Sequence, residues 1–467
     1  MRVLHVSLGF PPLRTGGLTR YCTEVMEAQV ASGDEVSLVY PGRFGRGKTQ
    51  VRLGSWHGVT TYEVMNPLPV ALTYGVAEPD VFCVPCSDPD AYRRLLDAAQ
   101  PDVIHVHSFQ GIHRELFGDA REAGIPCVFT THDYYPICPR CTLITSWGES
   151  CGAGPSPETC AVCNLNAGMT LKRSRVMQSG LYARMKESAL VRKVGSAVKR
   201  NMSSAAPEGD ADRPVPSADA VTAYGRLLEY NRSVMGLMTL VLANSSMTIA
   251  EYRRFFPDAR YELLPITHAG LEREVRPLLA REPGAPLHIG YYGGRKAYKG
   301  FDTLLEAARI LDSEGFLFEL RLYGDDYGDL PAYAHATSLG RFAPEAVRGT
   351  WREHDVVVVP STCHETFGFV VLEALCSGVP VICSDVVGAK DLVGRECVFH
   401  AGDAQDLAGK LEEVDEVTAD GASVSDDYPL AMGGQLKLLT SAYGRAIEIS
   451  KQNIVGEGAS LRLGLKI

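Results

Sequence analysis

Residues Leu287–Leu311 read LHIGYYGGRKAYKGFDTLLEAARIL. A short apolar run leads into a glycine-rich loop with several cations, and apolar residues then recur at helical spacing. Strand, loop and helix in that order form the unit from which a parallel, doubly wound α/β sheet is built. The same rhythm already runs through the first half of the chain, in VLHVSL, a Gly-rich loop and helix, EVSLVY, DVIHVH, PCVFTTH and LVLANS. At Leu287 it restarts, and FELRLYG, DVVVVPS and VPVICSD carry it on. Two similar α/β domains in series are therefore predicted, with the boundary in the Pro-containing segment Pro265–Pro286. The division expected is a first domain over 1–265, a linker over 266–286, a second domain over 287–430 and a helical segment over 431–467, for which a crossing back to the first domain is one option. Such an arrangement leaves a cleft between two sheets whose strand C-terminal ends face each other.

Composition sets outer bounds. A chain of 467 residues, 45% hydrophobic and 22% charged, has to divide into at least two cores. The formal net charge of −10 argues against general nucleic-acid binding, which needs a net basic face to release counterions. No apolar run reaches 18 residues, and a strand-like VLHVSLGF follows Met1-Arg2 at once, so the expectation is a cytoplasmic protein without a membrane span or cleavable signal. The 13 cysteines are an odd number spread over a large chain, which suits reduced thiols and a metal better than a disulfide framework. SSAAPEGDADRPVPSAD, Ser203–Asp219, lacks the apolar content to form a core and reads as a flexible insertion.

The first loop, GFPPLRTGGLTRY, ends on Gly16 and Gly17, whose amides at a helix start suit close approach to a phosphate. Alone, the pair is equally a tight turn: full GxGxxG spacing is missing, and no GxxxxGK[ST] occurs. In YYGGRKAYKGF, Arg295 and Lys299 stand between a strand and a helix, where two cations suit a pyrophosphate. An isolated pair would read as solvated loop charge. Context reverses that, because HETFGF follows DVVVVPS at the same sheet edge, and the amides of Phe367, Gly368 and Phe369 would open a helix and offer a further anion site. With a helix starting near Phe367, Glu365 lies in the loop ahead of it and Glu373 nearly two turns inside. They would then accept from hydroxyls on different parts of one ligand, as in a polyol joined to a pyrophosphate. The alternative is a capping acid plus a solvated glutamate, but Glu373 sits within FVVLEALCSGVPVI, where an idle carboxylate is costly.

Over nearly its whole length, through GGLTRY, GRKAYKG and ETFGFVVLEAL followed by SGVPVI, the chain resembles the retaining glycosyltransferase family four of the GT-B fold, within the group 1 glycosyltransferases. The resemblance implies two Rossmann-like domains facing across a cleft and a nucleotide-diphosphate sugar donor, UDP- or GDP-linked. It assigns Glu373 to the ribose hydroxyls, Glu365 to the transferred sugar, and Arg295 and Lys299 to the diphosphate, with Gly16 and Gly17 closing over the phosphate side. His132, in Thr131-His132-Asp133, matches the family's first-domain histidine that contacts the donor sugar. It further implies retention without a protein nucleophile, the leaving phosphate oxygen taking the acceptor's proton, and no divalent metal at the catalytic centre. Consistent with that, no DxD stands at a strand end: Asp88 and Asp90 lie in SDPD, and Asp210 and Asp212 in the insertion. His105 and His107 read as packing or supporting residues, with His107 kept as a cleft candidate. The acceptor is left open among saccharide, lipid-linked glycan and small molecule.

Two features go beyond this pattern. DYYPICPRCTLITSWGESCGAGPSPETCAVCN carries Cys138, Cys141, Cys151, Cys160 and Cys163, bracketed by two CxxC pairs, the spacing of a structural four-cysteine zinc site over 138–163. A similar loop in a subset of the family, where the equivalent of Cys141 is often not cysteine, assigns Cys138, Cys151, Cys160 and Cys163 as ligands with Cys141 as substitute. An iron–sulfur cluster and unliganded thiols are the alternatives, and Cys83 and Cys86 form a further CxxC of no assigned purpose. Thr170–Arg200 holds nine Lys or Arg against the single Glu187, within a basic and flexible insertion over 170–219. It reads equally as an amphipathic helix giving peripheral contact with an anionic membrane and as a solvated lid over the cleft. From another functional class, the cysteines and the basic segment could form a metal-binding or regulatory module on an inactive transferase fold. Intact Glu365, Glu373, Arg295 and Lys299 argue against that. A phosphorylase or epimerase on the same scaffold is also weighed, but a pyridoxal-bearing lysine context is not recognisable.

Overall fold

The structure, a computed structural model, describes residues 1–152, 154–179, 182, 214–273, 282, 284–340, 350–414, 424–425 and 428–464. The described residues carry two sheets. The first has the order β3-β4-β2-β1-β5-β6-β7-β8, built from β1 Arg2–Val6, β2 Glu35–Pro41, β3 Gln50–Trp56, β4 Val59–Met65, β5 Val103–Val106, β6 Cys127–Thr130, β7 Leu240–Ala243 and β8 Tyr261–Leu263. Its pairings are parallel apart from β3 with β4. That hairpin turns on His57 and Gly58, both at positive φ, the backbone a two-residue turn requires.

The second sheet has the order β11-β10-β9-β12-β13-β14: β9 Leu287–Tyr292, β10 Phe318–Tyr323, β11 Ala336–Gly340, β12 Val356–Val359, β13 Val381–Ser384 and β14 Val398–Phe399. All of its pairs are parallel. β12 is four valines, all buried, as a central parallel strand covered on both faces should be. Each sheet reverses its winding once. The chain runs outward from β1 through β2 and β4, then from β5 through β6, β7 and β8; in the second sheet it runs from β9 through β10 to β11, then from β12 through β13 to β14. A crevice opens beyond the strand ends at such a reversal. The loops there follow β1 and β5 in one sheet, and β9 and β12 in the other.

A long helix, Met432–Gly464, lies back against the first sheet: Leu439, Ala442, Tyr443 and Ala446 are buried, and Gln435 donates to Tyr21 Oη at 2.8 Å. One apolar cluster joins Val3, Val25 and Val128 of the first sheet layer to Val371, Leu375 and Leu439, so both halves share packed surface. Ser203–Asp219 does not end where its composition suggested. Ser217 caps a helix, Ala218–Met235, by accepting from the Ala220 amide; residues 203–213 lie outside the described residues. Of Thr170–Arg200, the helix Leu171–Met177 is described, and 180–181 and 183–200 fall outside. Among the described residues no helix is long and apolar enough to cross a membrane.

Candidate active site

The loops after β9 and β12 zip together, since the amides of Thr362 and Cys363 both donate to the Tyr298 carbonyl. Gly300 makes this approach sterically feasible: it sits at φ +72°, and a Cβ there would collide with the Pro360 carbonyl. Lys299 is thereby delivered beside Glu365, and its Nζ donates to Glu365 Oε1 at 2.9 Å. Ser361 Oγ donates to the same oxygen. Burial pulls the Lys299 ammonium down, but the adjoining Glu365 carboxylate outweighs it and holds the group above its ordinary value. Arg295 is not brought to this pair. It is exposed, and its guanidinium donates to the Tyr327 carbonyl in the loop beyond β10.

The helix carrying Glu373 begins later than the sequence suggested. It spans Phe369–Cys376 with Gly368, at φ +103°, as its N-cap. Ahead of it the chain is extended and anchored: Glu365 forms a bridge with Val387, and the Phe367 carbonyl accepts from the Ala389 amide at 2.7 Å. Helical bonding therefore starts only beyond the glycine. The amide of Phe369, rather than those of Phe367 and Gly368, opens the helix, and Glu373 lies little more than one turn inside. Its Oε1 is 2.9 Å from His268 Nε2, and His268 Nδ1 is 3.0 Å from Arg20 Nη2.

The first-domain residues face this motif closely. Thr366 Oγ1 donates to the His132 carbonyl at 3.1 Å, and Ser245 Oγ donates to the Thr366 carbonyl at 2.8 Å. Gly17 opens the helix Gly17–Ala31 with Gly16 as N-cap, and a Cβ on Gly17 would stand 3.9 Å from the Phe369 ring. Thus Gly17, His132, Lys299, Glu365 and Phe369 converge, with Glu373 adjoining through His268.

Behind His132 runs a column of histidines whose supporting role the sequence only hinted at. His5 and His105 are register partners on β1 and β5, and His107 follows two residues on, on the same face. Gln29 Oε1 can only accept, so His5 Nε2, 2.7 Å away, carries the proton. Neutral His5 then accepts at Nδ1 from His107 Nε2 at 3.0 Å, and His107 accepts at Nδ1 from His132 Nε2 at 3.2 Å. In the other direction Gln29 Nε2 donates to Tyr443 Oη at 3.4 Å, Tyr443 donates to His105 Nδ1 at 2.7 Å, and His105 donates to Thr130 Oγ1 at 2.8 Å. Burial keeps all four imidazoles neutral, pushing His5 down to about 4 and His132 to about 3, with His105 and His107 also well below the usual value. One directed chain therefore fixes the His132 tautomer, with its proton on Nε2 and its acceptor at Nδ1. The signals legible in sequence were the His105-x-His107 spacing and His5 in a strand; their alignment needed the register.

The five cysteines gather around one loop but differ in role. Cys141 Sγ donates to the Leu72 carbonyl at 2.8 Å and accepts from Gln110 Nε2 at 3.4 Å, so it behaves as a thiol. Cys163 Sγ accepts from the Ser146 amide at 3.2 Å; burial holds the Cys138, Cys151 and Cys163 thiols above their ordinary value, an effect that nearby backbone N–H groups partly offset. Amides aimed at sulfur favour thiolates. Among the described residues, however, the group of three metal-capable side chains whose ligand atoms lie within 4.8 Å of one another is His5, His105 and His107. The cysteines are collected without being drawn to that spacing.

Residues 286–415 match the family described as glycosyl transferases group 1, and residues 16–159 match the glycosyl transferase 4-like domain. Over 150 residues the chain is 33% identical to the D-inositol 3-phosphate glycosyltransferase of Rhodococcus erythropolis, a match covering 31% of this chain and 29% of that protein. Among solved structures it is similar to Anabaena HepE in complex with UDP, at 13% identity and TM-score 0.50 over 98% of this chain and 100% of that one. It is similar also to the catalytic domain of Starch Synthase IV from Arabidopsis thaliana bound to ADP and acarbose, at 12% identity and TM-score 0.50 over 96% and 99%. At such identities the structural likeness speaks for the fold.

Proposed function

The chain belongs to the group 1 glycosyltransferases and has the GT-B fold, and on that premise we propose that it transfers a sugar, with retention, from a nucleoside-diphosphate sugar to an acceptor held on its first domain. The observation that carries this reading is the Lys299–Glu365 pair at the winding reversal of the second sheet, bonded through Thr366 to the backbone of His132. In this reading Lys299 and the helix amide at Phe369 meet the diphosphate, and Arg295 swings in from Tyr327 to join them. Glu373 takes the ribose hydroxyls, and Glu365 and His132 take hydroxyls of the transferred sugar. As the glycosidic bond breaks, negative charge gathers on the departing phosphate, where Lys299, the helix amide and the incoming Arg295 stabilise it more than in the ground state. That oxygen takes the acceptor's proton on the same face of the sugar, so no protein nucleophile is needed. Because Glu365 is already neutralised by Lys299, it is a poor ligand for a divalent cation, which supports metal-independent transfer.

UDP- and GDP-sugars are the proposed donors. Thermal shifts with UDP-, GDP-, ADP- and TDP-sugars identify the donor, and the anomeric configuration of the product, read by NMR, tests retention. No stabilisation by any sugar nucleotide would count against a transferase and for an inactive module. We also propose a structural zinc held by Cys138, Cys151, Cys160 and Cys163, supported by the nearness of these four sulfurs to one another and by the Ser146 amide that donates to Cys163. The place of action proposed is the cytoplasm.

A further inference from the structure

A cavity of about 490 Å³ lies on the first-domain side of the glycine loop, between that loop and Met177, Gln178 and Ser179. Its volume falls in the range of small-molecule sites. Leu8, Leu72 and Met177 give it an apolar wall, and Thr15 and Tyr40 give hydroxyls. Two arginines line it, and they are not alike. Arg43 is committed to Glu63 through two N–H bonds of 2.9 and 3.0 Å. Half-buried Arg14 has no carboxylate within ion-pair distance and makes no side-chain hydrogen bond among the described residues. Burial alone pulls its guanidinium below the ordinary value.

A guanidinium held in a cavity wall with no carboxylate partner among the described residues keeps its fork of donors available to a ligand. The far side of the same loop carries Gly17, which faces Phe369 of the donor motif. Thr15, in the cavity wall, is thus two residues from the glycine that meets the donor motif. Resting on the transferase reading, we infer that this cavity is the acceptor subsite and that Arg14 binds an anionic group of the acceptor, a carboxylate or a phosphate, by its planar fork of donors. The apolar wall then takes a hydrophobic portion of the same molecule, and the neutralised Arg43–Glu63 pair leaves Arg14 as the charge that selects it.

The test uses the full chain with its diphosphate subsite first filled by saturating UDP or GDP, so that added anions report elsewhere. Calorimetric titration with phenyl phosphate and benzoate is compared with uncharged phenol and benzyl alcohol. Binding of the anions and not of the neutral partners is expected. Arg14→Gln should weaken the anions by about tenfold or more, as loss of a charge-assisted bidentate contact does, with Arg14→Lys intermediate. Free nucleotide affinity should not change, and the melting temperature of Arg14→Gln should hold or rise, since an uncompensated charge is removed. Hexyl phosphate binding more tightly than phenyl phosphate assigns a lipid-linked acceptor and equal binding a soluble one, both upholding the anion subsite. Anions and neutral probes binding alike, or an Arg14→Gln variant with unchanged anion affinity, overturns it. If no nucleotide binds, the donor reading fails on its own, and the dependence on Arg14 still decides this one.

Discussion

Glu373 accepts from His268 Nε2 at 2.9 Å, while His268 Nδ1 lies 3.0 Å from Arg20 Nη2 and 3.1 Å from the Ala269 carbonyl. A carboxylate only accepts, so the imidazole has a proton on Nε2, aimed at Glu373. Arg20 is held in turn by Glu24 at 2.8 Å, and Glu24 accepts from the Ala269 amide at 2.6 Å. One polar chain thus ties the first-domain helix Gly17–Ala31 to the glutamate proposed for the ribose, orienting it before any nucleotide arrives.

The two glutamates should therefore respond differently to neutralisation. Glu373→Gln is expected to weaken free nucleotide and sugar nucleotide alike, by about tenfold to a hundredfold for a charge-assisted hydrogen bond. Glu365→Gln should impair the sugar nucleotide only. It also releases Lys299 from its partner, so free nucleoside diphosphate should bind as well as before or better. Titration calorimetry with both ligands decides it, and equal losses for both variants with both ligands would remove the two-position assignment.

The two cations separate as well. Arg295→Ala and Lys299→Ala should each lower turnover by about 10²-fold to 10³-fold, the usual cost of one contact to developing charge. Stability divides them. Arg295 is exposed and holds one carbonyl, so its loss should leave the melting temperature unchanged. Lys299→Ala leaves Glu365, 15% exposed, with Ser361 as its side-chain partner, and should lower it. Adding Glu365→Gln to Lys299→Ala should restore part of that loss, a coupling of about 0.5 to 3 kcal/mol. Additive effects would mean that the pair carries no net interaction.

The two sheets could be read from the chain because buried parallel strands are short apolar runs, as in Val356–Val359, and because Gly300 leaves a local trace where backbone meets backbone. The family expected from GRKAYKG and ETFGFVVLEAL is the one that the matches over 16–159 and 286–415 give. The helix start was misjudged because what delays it is not local: Glu365 and Phe367 are anchored to Val387 and Ala389, some twenty residues on. His268 and Arg20 were missed for the same reason, as was Arg14, whose distinguishing property is the partner it lacks among the described residues. The histidine column needed the β1–β5 register that sets His5 opposite His105.

That column should make the fold acid-sensitive. A histidine whose folded pKa lies below its unfolded value of 6.5 contributes fully above pH 6.5, and its contribution is lost as the pH falls toward the folded pKa. For His5 the window runs from 6.5 down to about 4, and for His132 down to about 3. Each such group adds about 1.4 kcal/mol per pH unit to the slope of stability against pH. Denaturant melts between pH 4 and 8 should therefore show a steep fall below 6.5, and His5→Asn should flatten it by one proton's worth. An unchanged slope would mean that His5 is protonated in the folded protein.

The cysteine loop gives the most decisive test, because its five sulfurs are chemically sorted before any metal is considered. Cys141, bonded to the Leu72 carbonyl, is a donor thiol; Cys163 accepts from the Ser146 amide, and Cys138, Cys151 and the buried Cys160 lie near it and one another. Burial pushes the unliganded Cys151 thiol up to about 11, so at neutral pH these groups ionise only if a cation takes the proton's place. Zinc would do so and draw the sulfurs inward, since four ligands at about 2.3 Å from one ion stand closer together than 4.8 Å. Protein purified without a metal-affinity tag should contain about one zinc per chain. Serine at 138, 151, 160 or 163 should abolish it, and Cys141→Ser should retain it. Chelation should lower the melting temperature first and activity only through the bond that joins this loop to Leu72 in the wall of the cavity proposed for the acceptor. Metal-free protein with full activity and an unchanged melting temperature would refute the site, and a brown, iron-containing sample would reassign the same four sulfurs to a cluster.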